Sequence, residues 1–447
     1  MVVNSMSYAK YESYKDSGVD WLGEIPSDWD LVPLRAIFRF RNEKNNPVIT
    51  ENILSLSIAK GVTGYDDENR GGNKRKDDIT AYKIARPNDI VLNSMNVIVG
   101  AVGVSKYFGA ISPVYYALYA FNDLGYVPYF NWIFQNTGFQ KGLLKYGKGI
   151  LIKLGEEGKM NTIRMKISQD DLKVLQFPLP NFEKQTKIAN FLDQKTAQID
   201  QAIALKQQQI EKLNEYKQIV IQNAVTKGLN PNVPMKNSGV DWIGDIPEHW
   251  EVKKLKYLID SKAGYAFPSQ QFSQEGISVI RISELNINGS VDISNSPKLP
   301  FSFAKFLEEF CVVSGDILMA MTGGTIGKVS IYRENKKSLL NQRVCKFIVK
   351  ASLDKKLFWH FCNSLYWKNY IDFKANGGAQ PNISDNEIKK MYFPLPSISE
   401  QKTIANFLDE KTQNINQTIE RYQTQIDRLK EYKNILINQA VTGKIKI

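Results

Sequence analysis

Two thirteen-residue stretches decide how this chain is organised: Ser17–Trp29 has the sequence SGVDWLGEIPSDW, and Ser238–Trp250 has SGVDWIGDIPEHW. Nine of the thirteen positions are identical. A second pair lies further along, where Phe177–Thr196 (FPLPNFEKQTKIANFLDQKT) and Phe393–Thr412 (FPLPSISEQKTIANFLDEKT) share thirteen of twenty residues. The offsets of 221 and 216 residues are about half of the 447-residue length. The chain is therefore an internal duplication.

Each half contains a Trp-rich segment, a long variable stretch, a Pro-bounded FPLP and a helical tail. The variable stretches, Leu31–Gln176 and Glu251–Tyr392, hold short β-like runs and keep weak correspondences, such as Leu56-Ser57-Ile58 with Ile280-Arg281-Ile282. The halves therefore share a scaffold but present different surfaces. We expect an α+β fold with two mixed α/β domains in tandem, each followed by a long helix. The expected domain boundaries are 1–182, 183–228, 229–396 and 397–447.

The two tails carry apolar residues at alternating steps of three and four over about forty residues, which is typical of a coiled coil. Residues Glu183–Lys227 contain neither Pro nor Gly. A surface helix on its own domain is the alternative, but forty residues span about 60 Å, more than a small domain. We expect the two helices to pair as an antiparallel, pseudo-twofold coiled coil. The seam residues are Leu192, Ile199, Ile203, Ile210, Leu213, Leu408, Ile415, Ile419, Ile426 and Leu429.

The composition limits the chemistry. With 58 Lys+Arg against 46 Asp+Glu, the formal net charge is +12, which suggests a polyanionic partner, although such a charge can also serve solubility. Three dispersed cysteines argue against a disulfide framework or a cysteine zinc site, and two distant histidines make histidine chemistry improbable. The start of the chain has no apolar segment, so we expect a cytoplasmic protein without a membrane span.

Sequences that resemble catalytic motifs fail on their required residues. Thr322–Val329 (TGGTIGKV) has Thr322 where a phosphate loop needs glycine, and Val329 where it needs Ser or Thr. We interpret it as a glycine-rich turn between strands. Asp241 with Glu251-Val252-Lys253 resembles a nuclease set, but the duplicated copy lacks the lysine. No motif for adenine methylation is found. The sequence predicts a binding protein that holds no catalytic residue, cofactor or metal of its own.

Polar, glycine-containing loops of the variable stretches are the candidate DNA contacts, because Arg recognises guanine, Asn and Gln recognise adenine, and Lys contacts phosphate. A solvated surface turn is the alternative for any one of them. The candidates are Ser57, Arg70, Lys74, Arg75, Lys76 and Arg164 in the first half, and Arg281, Thr322, Thr325, Lys328, Arg343, Asn376, Gln380 and Asn382 in the second.

The duplicated SGVDWxGxIPxxW segment, the FPLP-x4-Q-x2-IANFLD-x-KT helix start and the AVTKGL and AVTGKI helix ends resemble the specificity subunits of Type I restriction–modification enzymes. The resemblance covers the whole chain. It implies that each variable domain recognises one half of a bipartite, asymmetric site on double-stranded DNA and that the helices set the gap. It also implies docking of two methyltransferase and two restriction subunits, which bring S-adenosylmethionine, ATP and magnesium. The alternative function is a stand-alone coiled-coil DNA-binding scaffold or repressor.

Overall fold

The computed structural model describes residues 8–66, 78–150, 164–286, 288–375 and 382–447. They form two compact units. The first is Met1–Lys206 with Thr424–Ile447, and the second is Gln207–Gln423. The first unit contains strands β1 (Tyr14–Asp16), β2 (Glu24–Pro26), β3 (Asp30–Pro33), β4 (Phe38–Arg41), β5 (Leu54–Ser57), β6 (Gly61–Gly64), β7 (Lys83–Ala85), β8 (Ile90–Asn93), β9 (Val102–Val104), β10 (Gly109–Ile111), β11 (Tyr115–Ala120), β12 (Lys148–Ile150), β13 (Arg164–Lys166) and β14 (Gln176–Leu179) and helices α1 (Val127–Gln135), α2 (Thr137–Leu143) and α3 (Gln169–Val174), and helix α4 (Phe182–Lys227) begins in it.

The second unit contains strands β15 (Met235–Asn237), β16 (Asp245–Pro247), β17 (Glu251–Lys254), β18 (Ile259–Ala263), β19 (Ile277–Ile280), β20 (Lys298–Leu299), β21 (Cys311–Val312), β22 (Ile317–Ala320), β23 (Val329–Ile331), β24 (Ser338–Leu340), β25 (Val344–Val349) and β26 (Tyr392–Leu395), with helices α5 (Leu307–Phe310), α6 (Lys355–Phe361), α7 (Leu365–Ala375) and α8 (Asp385–Lys390). Helix α9 (Ile398–Val441) begins in this unit and ends in the first, whereas α4 ends in the second. The expected α+β fold is confirmed.

The duplication extends through the variable stretches. The central sheet of the first unit has the antiparallel order β4-β11-β8-β9, and that of the second has the same order, β18-β25-β22-β23. In both, the duplicated FPLP strand pairs with the strand after the Trp-rich segment, β14 with β3 and β26 with β17. The second unit adds a sheet of order β20-β19-β24-β21, which contains the parallel pair β19–β24. The shared order gives both units one scaffold.

The Trp-rich segments form short hairpins, β1–β2 and β15–β16, that end in a fully buried tryptophan. Trp29 and Trp250 are both 0% exposed, each in the main core of its unit. The glycine that ends each long helix packs on this tryptophan: a Cβ on Gly443 would lie 3.1 Å from Trp29, and one on Gly228 would lie 3.1 Å from Trp250. Both glycines have positive φ, +71° in each case, which favours Gly at a helix end. The repeated motif and the helix end are therefore one packing unit.

Within each unit a segment of α4 and a segment of α9 run antiparallel. In the first unit, Lys433 Nζ donates to Asp200 Oδ2 at 2.7 Å, and Lys206 Nζ donates to Gln425. From the first bond to the second, the residue number rises from 200 to 206 in α4 and falls from 433 to 425 in α9. The two segments are therefore antiparallel. In the second unit Lys217 Nζ donates to Asn416 Oδ1 at 3.0 Å. The three lysines that interrupt the heptad pattern thus each reach a polar acceptor on the other helix. All ten predicted seam residues are buried or half-buried.

Near its N-terminal end, each long helix also has an aspartate bonded to a ring nitrogen of its own unit. In the first unit Trp132 Nε1 donates to Asp193 Oδ1 at 2.9 Å. In the second unit His360 Nε2 lies 2.8 Å from Asp409 Oδ1. The two aspartates occupy the same position of the repeated IANFLD segment. His360 is 3% exposed, and its hydrogen bond lowers the pKa of Asp409 to about 2.

In the described part of the chain, none of the helices has the length and apolarity that crossing a membrane requires.

Candidate nucleic-acid interface

One end of the central sheet in the second unit brings several predicted contact residues together. β22 ends at Ala320 opposite the first residue of β25, Val344, so the residues just beyond these strands lie side by side. The Met321 N–H donates to the Arg343 carbonyl at 2.9 Å, and the Ile383 N–H donates to the Met321 carbonyl at 3.0 Å. We call the set that these bonds assemble the second-unit edge, and it consists of Arg281, Thr322, Thr325, Arg343 and Asn382.

Backbone pairing places the other members. Thr322 and Asn382 form an isolated antiparallel bridge, and the Asn341 N–H donates to the Ile280 carbonyl at 3.0 Å, which brings in Arg281. The TGGTIGK segment forms a 3-10 turn, Gly323–Thr325, between β22 and β23. A strand rather than a helix follows it, so the interpretation as a glycine-rich turn is confirmed.

The side chains of this edge have unused hydrogen-bonding capacity. Arg343 and Asn382 are exposed, and within the described ranges no ion pair or hydrogen bond of the Arg343 guanidinium is found. The Oγ1 atoms of Thr322 and Thr325 are buried and lack a hydrogen-bond partner among the described residues. Buried hydroxyls of proteins are nearly always bonded, so these two are suited to a ligand that supplies the partner.

The other two cations predicted as contacts in the second half, Arg281 and Lys328, are already bonded to groups of the protein. Arg281 Nη2 lies 3.0 Å from Glu284 Oε1, and the Glu284 side chain is only 6% exposed. This ion pair holds the Arg281 guanidinium in place. Lys328 Nζ donates to the Leu285 carbonyl, and burial lowers the pKa of Lys328. Lys328 therefore stabilises the turn behind the edge, whereas Arg343 projects from it.

The same backbone arrangement occurs at the same end of the sheet in the first unit. Asn93 pairs with Tyr115, the Ser94 N–H donates to the Val114 carbonyl at 3.4 Å, and the Ile167 N–H donates to the Ser94 carbonyl at 3.0 Å. These bonds match those of Ala320, Met321 and Ile383 one for one. They place Met95, Val114 and Lys166 where the second unit has Thr322, Arg343 and Asn382.

This first-unit edge has a different chemistry. Met95 (38% exposed) and Val99 (43%) lie in the turn between β8 and β9, and the backbone bond of Ser94 to Val114 brings Val114 (39%) to the same end, so three exposed apolar residues occur at this end of the sheet. We define the first-unit edge as these three residues with Lys44, Lys83 and Lys166. Its cations come from separate parts of the chain.

The three lysines are brought together by strand pairing. Lys83 Nζ donates to the Tyr115 carbonyl at 3.0 Å, and the backbones of Lys44 and Lys83 form an antiparallel bridge. Burial, with the nearby charge of Lys166, lowers the pKa of Lys83. The Glu43 carboxylate in the same segment is occupied by Arg86, at 3.0 Å. An anion would therefore be attracted to this edge.

The predicted residues of the first half are not assembled there. Ser57 is exposed in the turn between β5 and β6, where its Oγ accepts from the Lys60 N–H at 3.1 Å. Ile53 pairs in parallel with Ala110 in the first unit, as Val279 pairs with Leu339 in the second. Two residues further on, this match aligns Ser55, and not Ser57, with Arg281. The loop residues Arg70, Lys74, Arg75, Lys76, Asn376 and Gln380 and the side chain of Arg164 lie outside the described residues.

Sequence reasoning missed Lys44, Lys83, Met95, Val99 and Val114. Apolar residues beside strands are ordinarily assigned to the core, and the lysines lie far apart in sequence. The duplication could have found one of them. Aligning the similar segments 90–93 (IVLN) and 317–320 (ILMA) places Met95 opposite Thr322. Val114 is matched with Arg343 only by the strand pairing.

Comparison with known proteins agrees with this duplicated architecture. Residues 247–428 match the family model described as "Type I restriction modification DNA specificity domain". The Type I restriction enzyme MjaVIII specificity subunit of Methanocaldococcus jannaschii is 30% identical over 278 residues, 61% of this chain and 63% of that protein. The chain thus matches less than two thirds of that relative's length. The putative MjaX specificity subunit of the same organism is 25% identical over 461 residues, 99% of each chain.

Two solved structures have the same fold. A chain from a study of the assembly and conformational transition of the type I R-M system gives a TM-score of 0.70 at 13% identity, and it covers 93% of this chain and 98% of its own. The HsdS subunit from Thermoanaerobacter tengcongensis gives 0.52 at 13% identity, covering 94% and 98%. The family resemblance seen in the sequence is confirmed as a similarity: residues 247–428 match this family model, and specificity subunits of Type I restriction enzymes are similar to the chain over 61% and 99% of its length.

Proposed function

We propose that the chain selects the DNA sequence for a Type I restriction–modification complex and that each unit recognises one half of a bipartite, asymmetric site. The observation that carries this proposal is the pair of edges. The same three backbone pairings build both, yet Met95, Val114 and Lys166 stand where Thr322, Arg343 and Asn382 stand in the other unit. A common scaffold with different contact residues suits two different half-sites.

The charges of the two edges support DNA as the ligand. The net charge of the chain is +12. The first-unit edge includes the exposed side chains of Lys44 and Lys166, and the second-unit edge presents the exposed guanidinium of Arg343. Lysine contacts to phosphate give affinity without sequence information, whereas a bidentate arginine recognises the O6 and N7 atoms of guanine. Binding should therefore weaken steeply as salt is raised.

The duplicated segments outside the variable stretches would supply two equivalent docking surfaces for two copies of one partner. The hairpins of Ser17–Trp29 and Ser238–Trp250 have nearly the same sequence and the same pairing. We assign them, with the two helix starts, to two methyltransferase subunits, to which two restriction subunits would be added. S-adenosylmethionine, ATP and magnesium would be bound by those partners, and this chain would carry no catalytic residue. The gap between half-sites would depend on the length of α4 and α9.

Co-expression tests this function. The chain is produced with a Type I methyltransferase subunit from the same organism in a host that lacks other DNA methylation, and N6-methyladenine is mapped by long-read sequencing. The expected result is one gapped, asymmetric motif and a copurifying methyltransferase, with no methylation when this chain is omitted. A continuous short motif would contradict the two-unit model. A chain that binds DNA but copurifies with no methyltransferase would favour the stand-alone scaffold.

A further inference from the structure

We propose that the first-unit edge recognises thymine through its methyl group, so that the half-site bound by the first unit contains thymines contacted by Met95, Val99 and Val114 in the major groove. This inference rests on the proposed function. It names the base class of one half-site, which neither the family nor the related proteins specify.

The contact chemistry leaves few alternatives. Met95, Val99 and Val114 are between 38% and 43% exposed, and their side chains have no N–H or O–H to donate and no oxygen to accept. Single exposed apolar residues need no explanation, but these three share one edge. The Ser94 hydroxyl, which could have donated to a base, already donates to the Val114 carbonyl at 2.8 Å. Among the base edges of DNA, the 5-methyl group of thymine is the apolar feature, and it lies in the major groove.

The flanking charges indicate DNA rather than an apolar protein segment as the occupant. Lys166 precedes Ile167, whose N–H bonds to Ser94 beside Met95, and Lys83 Nζ donates to the carbonyl of Tyr115 beside Val114, so two cations border the apolar residues. The backbone of Lys44 pairs with that of Lys83. An apolar partner would bury these cations without compensation, whereas phosphates on either side of a groove would neutralise them. The arrangement, an apolar centre with cations around it, matches a base edge between two backbones.

The second-unit edge provides an internal comparison. At the equivalent positions Thr322, Arg343 and Asn382 offer a hydroxyl, a guanidinium and an amide, which recognise bases by hydrogen bonds. Replacing thymine by deoxyuridine removes the methyl group and leaves every hydrogen-bonding atom of the base in place. A change in Kd on this substitution therefore reports contact with the methyl group and not hydrogen bonding to the base.

The test uses the full chain in complex with its methyltransferase and the duplex mapped as above. Fluorescence anisotropy measures the Kd of duplexes in which each thymine of the first-unit half-site is replaced by deoxyuridine. We expect a loss of about fourfold for each contacted methyl group. In a complex carrying Met95→Ala, Val99→Ala and Val114→Ala, the preference for thymine over deoxyuridine duplexes should be lost.

The control is Leu124→Ala, an exposed residue (52%) beyond the opposite end of β11, which should keep the full preference for thymine. The inference is overturned if the first-unit half-site contains no thymine, if deoxyuridine changes the Kd of the unaltered complex by less than twofold, or if the folded triple variant keeps the preference. A variant that fails to fold binds neither duplex, and the deoxyuridine series on the unaltered complex then decides the inference. Absence of any gapped motif would instead reject the proposed function, so the two failures are distinguishable.

Discussion

Lengthening both long helices by one heptad should lengthen the gap between the half-sites. The insertion belongs between the Lys206–Gln425 bond of the first unit and the Lys217–Asn416 bond of the second. Seven residues after Gln209 and seven after Gln423 keep the apolar seam in phase, because the seam repeats every seven residues. The core of each unit, and both edges, remain untouched.

The size of the effect follows from helix geometry. α4 has 46 residues and α9 has 44, so each extends for about 65 to 70 Å. Seven added residues lengthen a helix by about 10.5 Å. With about 3.4 Å per base step, this corresponds to about three base pairs. The methylated motif should keep both half-sites and gain a spacer that is about three base pairs longer.

Long-read mapping of N6-methyladenine measures the spacer directly. A matched control replaces seven residues at each of the same two positions without changing the length, and it should methylate the original motif. An insertion in α4 alone shifts one side of the seam against the other and should abolish methylation. If the doubly lengthened chain still methylates DNA with the original spacer, helix length does not set the gap, and that part of the account is wrong.

Three further predictions concern single residues. Arg343→Ala should cost about 1–3 kcal/mol at one guanine of the second half-site and relax the motif only there, so an unchanged motif in the methylation map would contradict its role. Asp409→Asn should destabilise the second unit by about 1 kcal/mol at pH 7, after allowance for a side chain that is 40% exposed. Because the folded-state pKa is depressed to about 2, this difference is present above about pH 4 and lost as the pH falls towards 2, and urea unfolding that shows it undiminished at pH 2 would refute the assignment. Gly443→Ala should lower the unfolding midpoint of the first unit more than Gly18→Ala. Both glycines have positive φ, but only a Cβ on residue 443 would lie 2.4 Å from Pro26. Equal shifts of the midpoint would contradict the packing argument.

Much of the fold could be predicted because the chain contains its own comparison. The repeats Ser17–Trp29 and Ser238–Trp250 placed the hairpins, and the heptad pattern placed the helices. Lysines at seam positions weaken an apolar seam, and their charged ends usually extend into solvent. The structure instead pairs Lys206, Lys217 and Lys433 with polar acceptors, which depend on register across the helices and cannot be found from one helix alone.

The polar residues of the second-unit edge can be named from the sequence, whereas the apolar residues of the first-unit edge cannot. Arg343, Thr322 and Asn382 are polar residues in glycine-rich or loop sequence, so residue type alone pointed to them. Met95 and Val114 have the residue types of a core, and only strand pairing shows that they lie beyond the strand ends. Residue type therefore points to candidate contacts where they are polar and passes over them where they are apolar.

The most direct test of the central claim, that each unit recognises its own half-site, is a chain with two second-unit recognition segments. Residues Glu251–Leu395 replace Asp30–Leu179, so the exchanged segment begins in β17 and ends in β26, the pair that corresponds to β3 and β14. The measurement is again the methylation map of the complex. The account predicts a gapped motif in which the first half-site is lost and the second occurs twice. A motif that keeps the original first half-site, or in which both halves become new sequences, would contradict it.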